Sequence, residues 1–170
     1  WAVMPNLAKS PPYGLLVQVL DSLHDMKTII KTPITLEHHC LQLPYASLRL
    51  QKRQCLERLI ASMEQMYRYA REKVRPSCPL TFSRMAVVVV PTESTQWILI
   101  DGYMRVNALR RIGNDVVDAE AWDCDVVTAL LTLLTEHQSR TWEVFEEALL
   151  LQELHTQHGL SQTSLANKIG

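Results

Sequence analysis

The segment DGYMRVNALRRIG, from Asp101 to Gly113, carries residues whose types and spacing are suited to holding a phosphate. A helix N-terminus presents unpaired N–H groups and a partial positive charge, and a glycine at that point lets an anion come close to the backbone. Gly102 would permit this approach, and Arg105, one turn further along, could complete a fork of hydrogen bonds. The alternative is that Gly102 only relieves a strand-to-helix turn while Arg105 lies in solvent or pairs with an acid.

A second polar group, EHQSR at residues 136 to 140, falls at the junction of two predicted helices. Mg²⁺ prefers one or two carboxylates together with phosphate oxygens and water. Glu136 is therefore a candidate metal ligand, and His137 could add a contact. The competing interpretation is an exposed ion pair between Glu136 and Arg140, which stabilises a protein by only about 0.3–0.5 kcal/mol.

A third candidate is the helical stretch QELHTQHGLSQTSLANKIG, residues 152 to 170, which has the shape of the first half of a helix-turn-helix. Any helical hairpin is the alternative. The recognition helix that enters the major groove is expected beyond Gly170. Residues 141 to 170 hold one lysine, Lys168, and four glutamates, a net charge of −3. We therefore expect this segment alone to bind phosphates poorly and not to read bases.

The sequence lacks the residue patterns of several common nucleotide-binding, hydrolase and metal sites. The five glycines are placed so that they form neither a dinucleotide fingerprint nor a P-loop, and the sequence contains no G-x-S-x-G or H-E-x-x-H motif. The four cysteines show no C-x-x-C spacing, which argues against a zinc ribbon and favours a reducing, cytoplasmic setting. His38 and His39 are adjacent and would point to opposite faces of a strand, so they cannot chelate one metal together.

Length, composition and charge further limit which kinds of protein this chain can be and which partners it can bind. The chain has 170 residues, 47% of them apolar and 21% charged, as expected for one globular domain or one domain and part of another. A formal charge of −1 creates no global field for nucleic acid or anionic lipid, so any polyanion must meet a local basic patch. The apolar stretch from Ala86 to Val90 is far shorter than the roughly 20 residues of a membrane helix, and we expect no membrane partner.

The first half of the chain should contain one strand and one long helix. Residues 1–35 show no sustained periodicity, so we interpret them as a leader whose structure the sequence does not determine. Leu36 to Leu43 suits a short strand that Pro44 stops. Residues 68 to 84 form a basic connector in which Pro76 and Pro79 end any helix. Between them, a helix is indicated by apolar residues that recur every three or four positions: Leu56, Leu59, Ile60, Met63 and Tyr67.

A hairpin and a helix should then position the candidate phosphate site. The β-branched runs from Ala86 to Val90 and from Gln96 to Ile100 are separated by a link rich in turn formers. A helix follows Asp101-Gly102, and Gly113 is placed to cap its C-terminus. Val116 to Trp122 predicts a further strand.

Three helices are expected in the remainder. The first, largely buried, runs from Val126 to about Glu136, and either Asp123 or Asp125 caps it. The second is capped by Thr141, has glutamates near its start, and closes at His155, His158 and Gly159. The third is short, starts after Ser161 as N-cap, and has Leu160 packed on Leu165.

Taken in order, ILIDGYMRVNALRRIG, EHQSR and EALLLQELHTQHGLSQTSLANKIG make residues 36 to 170 resemble the N-terminal part of ParB-family partition proteins. In that family a Gly-Glu-Arg-Arg box binds the triphosphate of CTP, a Glu-Asn-x-x-Arg box helps to hold nucleotide and Mg²⁺, and a helix-turn-helix grips a centromere-like DNA site. The resemblance implies an α/β (α+β) fold in which a small mixed sheet with helices, residues 36–124, is followed by a helical DNA-binding domain, residues 125–170, that lacks its recognition helix.

Carried over residue by residue, the resemblance also implies site residues. Tyr103 and Met104 stand where the family box has Glu and its first Arg, and His137 stands where the second box has Asn. Glu136 is the implied metal ligand. The implied contacts with CTP, or another nucleoside triphosphate, with Mg²⁺ are Gly102, Tyr103, Arg105, Glu136, His137 and Arg140. The implied DNA contacts are Ser161, Gln162, Thr163 and Lys168.

The function that the resemblance implies is nucleotide-gated DNA binding in plasmid or chromosome partition or in mobile-element maintenance. The protein would act as a homodimer that closes around double-stranded DNA, and would be at most a slow NTPase. One alternative is a catalytic member of the same fold that transfers or hydrolyses a phosphoryl group, with Glu136 as metal ligand or base, or a nuclease, although no nuclease constellation is present. Another is a DNA-binding adaptor whose phosphate site has decayed. A sulfiredoxin would need a cysteine where Tyr103 and Met104 stand.

Overall fold

The strands of the described residues form one mixed sheet, and β-branched residues are most concentrated in β3. The computed structural model describes residues 29–73, 86–136 and 143–169, with the side chains of residues 70–73 and 136 outside that description. The strands are β1 (Lys31–Glu37), β2 (Leu41–Gln42), β3 (Val87–Pro91), β4 (Trp97–Asp101) and β5 (Val116–Trp122). The helices are α1 (Arg53–Lys73), α2 (Tyr103–Arg111), α3 (Val126–Glu136), α4 (Val144–Thr156) and α5 (Gln162–Ile169).

The strands lie in the order β1-β5-β3-β4-β2. The predicted hairpin is confirmed as the antiparallel pair β3–β4. Helix α2 then carries the chain across to β5, which lies parallel to β3 and antiparallel to β1. Strand β2 pairs in parallel with β4 at the far edge. A mixed sheet with packed helices confirms the expected α/β class.

The prediction of one strand from Leu36 to Leu43 is wrong. A 3-10 turn at His38–Cys40 divides this stretch, and its two parts lie in the two edge strands, β1 and β2. Lys31 to Thr35, which we expected in the leader, belong to β1. The turn is tied to the loop before β5, because the backbone N–H of His38 donates to the Asp115 carbonyl and the His38 ring nitrogen Nε2 lies 2.8 Å from the Asn114 carbonyl.

This division of the segment requires the sheet to be curved. Four residue steps from Glu37 to Leu41 can span at most about 14 Å. The two edges of a flat five-stranded sheet would be about 19 Å apart, at about 4.8 Å per strand. The edges must therefore bend toward each other around the core.

The core is made mainly by the inner strands and the helices that cover them. Val87, Val89, Leu99 and Ala119 on the strands are at most 1% exposed, and Val106 on α2 is fully buried. Helix α1 packs against α2. Its predicted apolar face is confirmed for Leu56 and Met63, which are buried, and Leu59 and Ile60, which are half-buried, whereas Tyr67 is 37% exposed. Since α1 continues to Lys73, the first part of the predicted basic connector is helical, and residues 74–84 lie outside the described ranges.

Helix termini follow the predicted capping residues in most cases. Gly113 adopts a left-handed φ of 73° after α2, as predicted. Asp125 caps α3, because its carboxylate accepts the Thr128 N–H, and the Ser161 hydroxyl accepts the Ser164 N–H at the start of α5. Helix α3 is only partly buried, with Ala129, Leu130 and Leu133 inside.

Thr141 is not the N-cap of α4. The helix begins at Val144, and Glu143 is its N-cap in a reciprocal capping box with Glu146. A carboxylate at the N-cap accepts a first-turn N–H as well as a hydroxyl would. Thr141 itself lies outside the described residues. At the other end, α4 stops at Thr156, before His158 and Gly159.

No helix in the described part of the chain combines the length and the apolar character needed to cross a bilayer.

The turn at Gly102 predicts a large difference between two glycine substitutions. Gly102 has a φ of 102°, and a Cβ there would lie 2.5 Å from Val87 Cγ1. Gly102→Ala should lower the free energy of unfolding by about 2–5 kcal/mol, because left-handed strain and overpacking add. Gly113→Ala is the control: its φ is 73° but nothing lies within 4 Å, so about 1–2 kcal/mol is expected. Denaturant titration measures both, and equal losses would contradict the assigned close contact.

Candidate functional site

The candidate site lies where β4 ends and α2 begins. Gly102 is the N-cap of α2 and supplies no side-chain cap, so the first turn depends on other acceptors. The first N–H groups of a helix have no acceptor within the helix and carry a partial positive charge. Because a Cβ at Gly102 would collide with Val87, the glycine is required by packing as well as by φ. The predicted strand-to-helix turn is confirmed, and anion binding at this turn stays a prediction.

A cleft of about 290 Å³ opens in front of this turn. It is bounded by the segment before α1, by α1, by the β4–α2 junction and by the first turn of α4. Its walls bring together residues that are far apart in the sequence: Arg49, Leu50, Gln51, Leu59, Asp101, Gly102, Tyr103, Met104, Arg105 and Glu146.

Arg49 is the main residue of the cleft that sequence analysis missed. Its Nη2 lies 3.1 Å from Asp101 Oδ1, and the two side chains are only 11% and 15% exposed. The same nitrogen donates to the Ile100 carbonyl, and the guanidinium lies 5.8 Å from the centroid of the Tyr103 ring. Burial lowers the pKa of Arg49, while the charges of Asp101 and Glu146 oppose that effect. The available signal was that Arg49 is the sole charged residue in LQLPYASLRL, residues 41–50.

Arg105 is half-buried at the base of the site. Its Nη1 donates to the carbonyl oxygen of Ala86, 2.5 Å away, just before β3. A guanidinium has five N–H donors, so it can serve more than one acceptor. Arg105 therefore lines the same cleft as Gly102, as the spacing predicted, but it is anchored to the sheet and does not extend into solvent.

The side chain of Tyr103 belongs to the core. It is 4% exposed, its hydroxyl donates to the Leu99 carbonyl at 2.7 Å, and the same hydroxyl accepts the Tyr45 N–H at 3.2 Å. Burial raises the pKa of Tyr103 well above its usual value. With the hydroxyl engaged inside the protein, any contact of Tyr103 with an anion falls to its backbone.

Most of the second predicted box lies outside the described residues. His137 and Arg140 lie outside the described residues, and Glu136 is the last residue of α3, with its side chain outside the description. The predicted metal ligand Glu136 stays a prediction. Among the described residues, no group of three or more histidines, cysteines and carboxylates could hold a metal ion.

The predicted DNA contacts lie on the surface of the helical segment. Ser161, Gln162 and Thr163 are exposed at the start of α5, and Lys168 is exposed in its last turn. Helices α4 and α5 are joined through Gly159, whose φ is 69°. Leu165 is buried and holds α5 to the core.

A larger hollow, of about 480 Å³, lies at the opposite end of α2. It is lined by Glu64, Tyr67, Arg68, Ile112, Gly113 and Asn114. The carbonyl groups at a helix C-terminus carry partial negative charge, which disfavours phosphate. The smaller cleft at the N-terminus of α2 is therefore the better candidate for an anion site.

Comparison with known proteins supports the fold through solved structures and not through sequence matches. No family model matches the sequence, and no curated protein matches it. Among solved structures, the pNOB8-like ParB N-domain aligns with a TM-score of 0.50 and 16% identity, over 78% of this chain and 44% of that chain. This chain has a ParB-like N-domain fold. The resemblance inferred from the three boxes is thereby confirmed for the fold.

Two structures of the C-terminally truncated chromosome-partitioning protein ParB from Caulobacter crescentus are also similar. The one complexed with CTP-gamma-S has a TM-score of 0.45 and 22% identity, and the alignment covers 81% of this chain and 71% of that chain. The one complexed to the centromeric parS site has a TM-score of 0.45 and 20% identity, over 81% and 64% of the two chains.

Because the Tyr103 hydroxyl is buried and hydrogen-bonded, we expect its removal to destabilise the protein even when the aromatic ring is kept. Tyr103→Phe leaves the Leu99 carbonyl and the Tyr45 N–H without their partner, and should lower the free energy of unfolding by about 1–3 kcal/mol. In Tyr67→Phe the lost bond, to Asn114, is exposed, so a smaller loss is expected. Chemical denaturation distinguishes the two, and a neutral Tyr103→Phe would argue against the buried hydrogen bonds.

Proposed function

We propose that this chain binds a nucleoside triphosphate, CTP in the first instance, together with Mg²⁺ in the cleft at the N-terminus of α2. The observation that carries the proposal is that Gly102 and two arginines, Arg49 and Arg105, line one cleft. A helix N-terminus approached closely through a glycine is a general phosphate site, and guanidinium groups bind phosphate oxygens in a fork. The ParB-like fold supports the same assignment.

The bound nucleotide is proposed to act as a switch and not as a substrate for efficient turnover. Differential binding to two arrangements of the helical segment would bias whether two subunits close around double-stranded DNA. The setting would be plasmid or chromosome partition, or mobile-element maintenance. Glu136 is proposed to bind the metal ion, and Glu136, His137 and Arg140 are proposed to contact the nucleotide.

DNA binding is proposed for the helical segment together with residues beyond Gly170. Helices α4 and α5 follow one another through the turn at Gly159, and we take them as the first half of a helix-turn-helix. Ser161, Gln162, Thr163 and Lys168 are exposed at the start of α5 and in its last turn. Hydroxyl, amide and ammonium groups of this kind bind phosphate oxygens and set the register of a protein on the duplex.

One observation favours a second candidate function, a DNA-binding adaptor that does not bind a nucleotide. The ionised residues that line the cleft are two arginines, Arg49 and Arg105, and two carboxylates, Asp101 and Glu146, so their charges sum to zero. A cleft that stays neutral would attract a triphosphate only through the helix terminus. If the neutral arrangement were permanent, the protein would bind DNA without a nucleotide.

Replacement of Arg105 tests the nucleotide site. Arg105→Ala should abolish triphosphate binding, while the loss of the charge-assisted hydrogen bond to Ala86 costs about 1.5–3 kcal/mol of stability and lowers the melting temperature by roughly 3–12 °C. Arg110→Ala, in the exposed last turn of the same helix, should leave binding unchanged. Calorimetric titration with CTP, ATP, GTP and UTP in the presence of Mg²⁺ measures affinity and base preference.

Each outcome of this titration favours one of the proposed functions. Loss of affinity in both variants would indicate a diffuse charge effect and not a specific contact. A fall in melting temperature well beyond that range for Arg105→Ala would point to a structural role for the arginine. Absence of binding in the unaltered protein would favour the adaptor, and rapid Mg²⁺-dependent nucleotide consumption without DNA would favour the catalytic alternative.

The DNA proposal predicts a characteristic salt dependence. A protein that continues beyond Gly170 should bind duplex DNA with an affinity that falls as salt concentration rises, because phosphate contacts release condensed counterions. Lys168→Ala should weaken binding to all sequences alike and reduce the slope of log affinity against log salt by about 1. Fluorescence anisotropy across a salt series provides the measurement, and a salt-independent affinity would be incompatible with this interface.

A further inference from the structure

Glu146 belongs to the candidate cleft although it is carried by α4, the first helix of the proposed DNA-binding segment. Its Oε1 accepts the backbone N–H of Leu50 at 2.8 Å, and Leu50 lines the cleft beside Arg49. Its Oε2 accepts the N–H of Glu143 at 3.3 Å, which closes the capping box of α4. One carboxylate therefore serves both as a wall of the anion site and as part of the helix cap.

The segment from Tyr45 to Lys52 connects the cleft with both ends of α4. Near the start of the helix, Lys52 Nζ lies 2.5 Å from Glu143 Oε1. Beyond its end, His158 Nε2 lies 3.4 Å from the Tyr45 hydroxyl. In the middle of the segment, Arg49 reaches Asp101. The position of α4 is thus linked to the residues that would contact an anion.

The charges in the cleft depend on where Glu146 is. With Glu146 in place, Arg49 and Arg105 are matched by two carboxylates and the lining is neutral. Withdrawal of Glu146 leaves Asp101 as the remaining carboxylate of the lining and gives a net charge of +1. Like charges in a partly buried site repel much more strongly than they would in water. A phosphate group therefore binds in the cleft less favourably while the Glu146 carboxylate is held at the Leu50 N–H than after it has left.

We propose that Glu146 is a built-in competitor for the anion site. A triphosphate group that binds between Arg49 and Arg105 displaces the Glu146 carboxylate, breaks its bond to the Leu50 N–H, and loosens the first turn of α4 from the segment before α1. This inference rests on the proposed nucleotide site, and it identifies the group through which that site communicates with the helical segment.

Because binding linkage is reciprocal, any change that removes the Glu146 charge must raise the affinity for the anion. Glu146→Gln removes the charge but keeps the side-chain size, and glutamine is as acceptable as glutamate at the third position of a capping box. Glu147→Gln is the matched control, since Glu147 is the next residue, is exposed and does not line the cleft.

The experiment titrates inorganic triphosphate, and separately CTP with Mg²⁺, into the full chain by calorimetry. Glu146→Gln should bind both ligands at least about fivefold more tightly than the unaltered protein, within the usual range of couplings between linked sites. Glu147→Gln should stay within about twofold. Hydrogen exchange supplies a second readout, since adding ligand to the unaltered protein should speed exchange of the Leu50 amide, and Glu146→Gln should show faster exchange without ligand.

The outcomes separate this inference from the proposed function. Equal or weaker affinity in Glu146→Gln, or a Leu50 amide that is unaffected by ligand, overturns the competitor role and leaves the nucleotide site standing. Absence of binding of both ligands in every variant overturns both proposals. If Glu146→Gln loses its fold, Lys52→Gln replaces it: this change loosens α4 without altering the lining charges, and unchanged triphosphate affinity there overturns the inference.

Discussion

The contact between Gly102 and Val87 is the constraint on which the rest of the site depends. The turn from β4 to α2 needs a left-handed φ, and β3 lies so near that no Cβ fits. Gly102 thereby fixes the start of α2 against the centre of the sheet. This position brings Arg105 to the carbonyl of Ala86 and leaves Asp101, at the last position of β4, beside Arg49. A small backbone requirement thus determines the relative positions of three charged groups.

Features whose determinants are close together in the sequence could be predicted, and those set by distant partners could not. The hairpin, the Gly102 turn, α2 and β5 each follow from residues within about a dozen positions. The division of residues 36–43 between two edge strands depends on pairing with Val116 and Trp97, which no local pattern reveals. Thr141 has the residue type of a cap, but the capping box of Glu143 and Glu146 determines where α4 begins.

The same distinction applies to the candidate site. Gly102 and Arg105 were found because a helix terminus and a residue one turn along are local features. Arg49 was missed because its partner Asp101 is 52 residues away. Glu146 was recognised only as a charge suited to a helix N-terminus, since its place in the cleft follows from how α4 docks. The burial of Tyr103 could not be anticipated from a motif in which the family has a glutamate at that position.

The edge strand β1 affects how two copies of the chain can meet. Pro33 is the third residue of this seven-residue strand and lies opposite Glu120 of β5. Proline has no N–H to donate, and within sheets it is tolerated chiefly where that missing donor faces away from the neighbouring strand. An incoming strand would therefore find an interrupted row of donors on the outer side of β1. Extension of the sheet from one molecule into another is disfavoured at this edge, and self-association through it would have to rely on side chains.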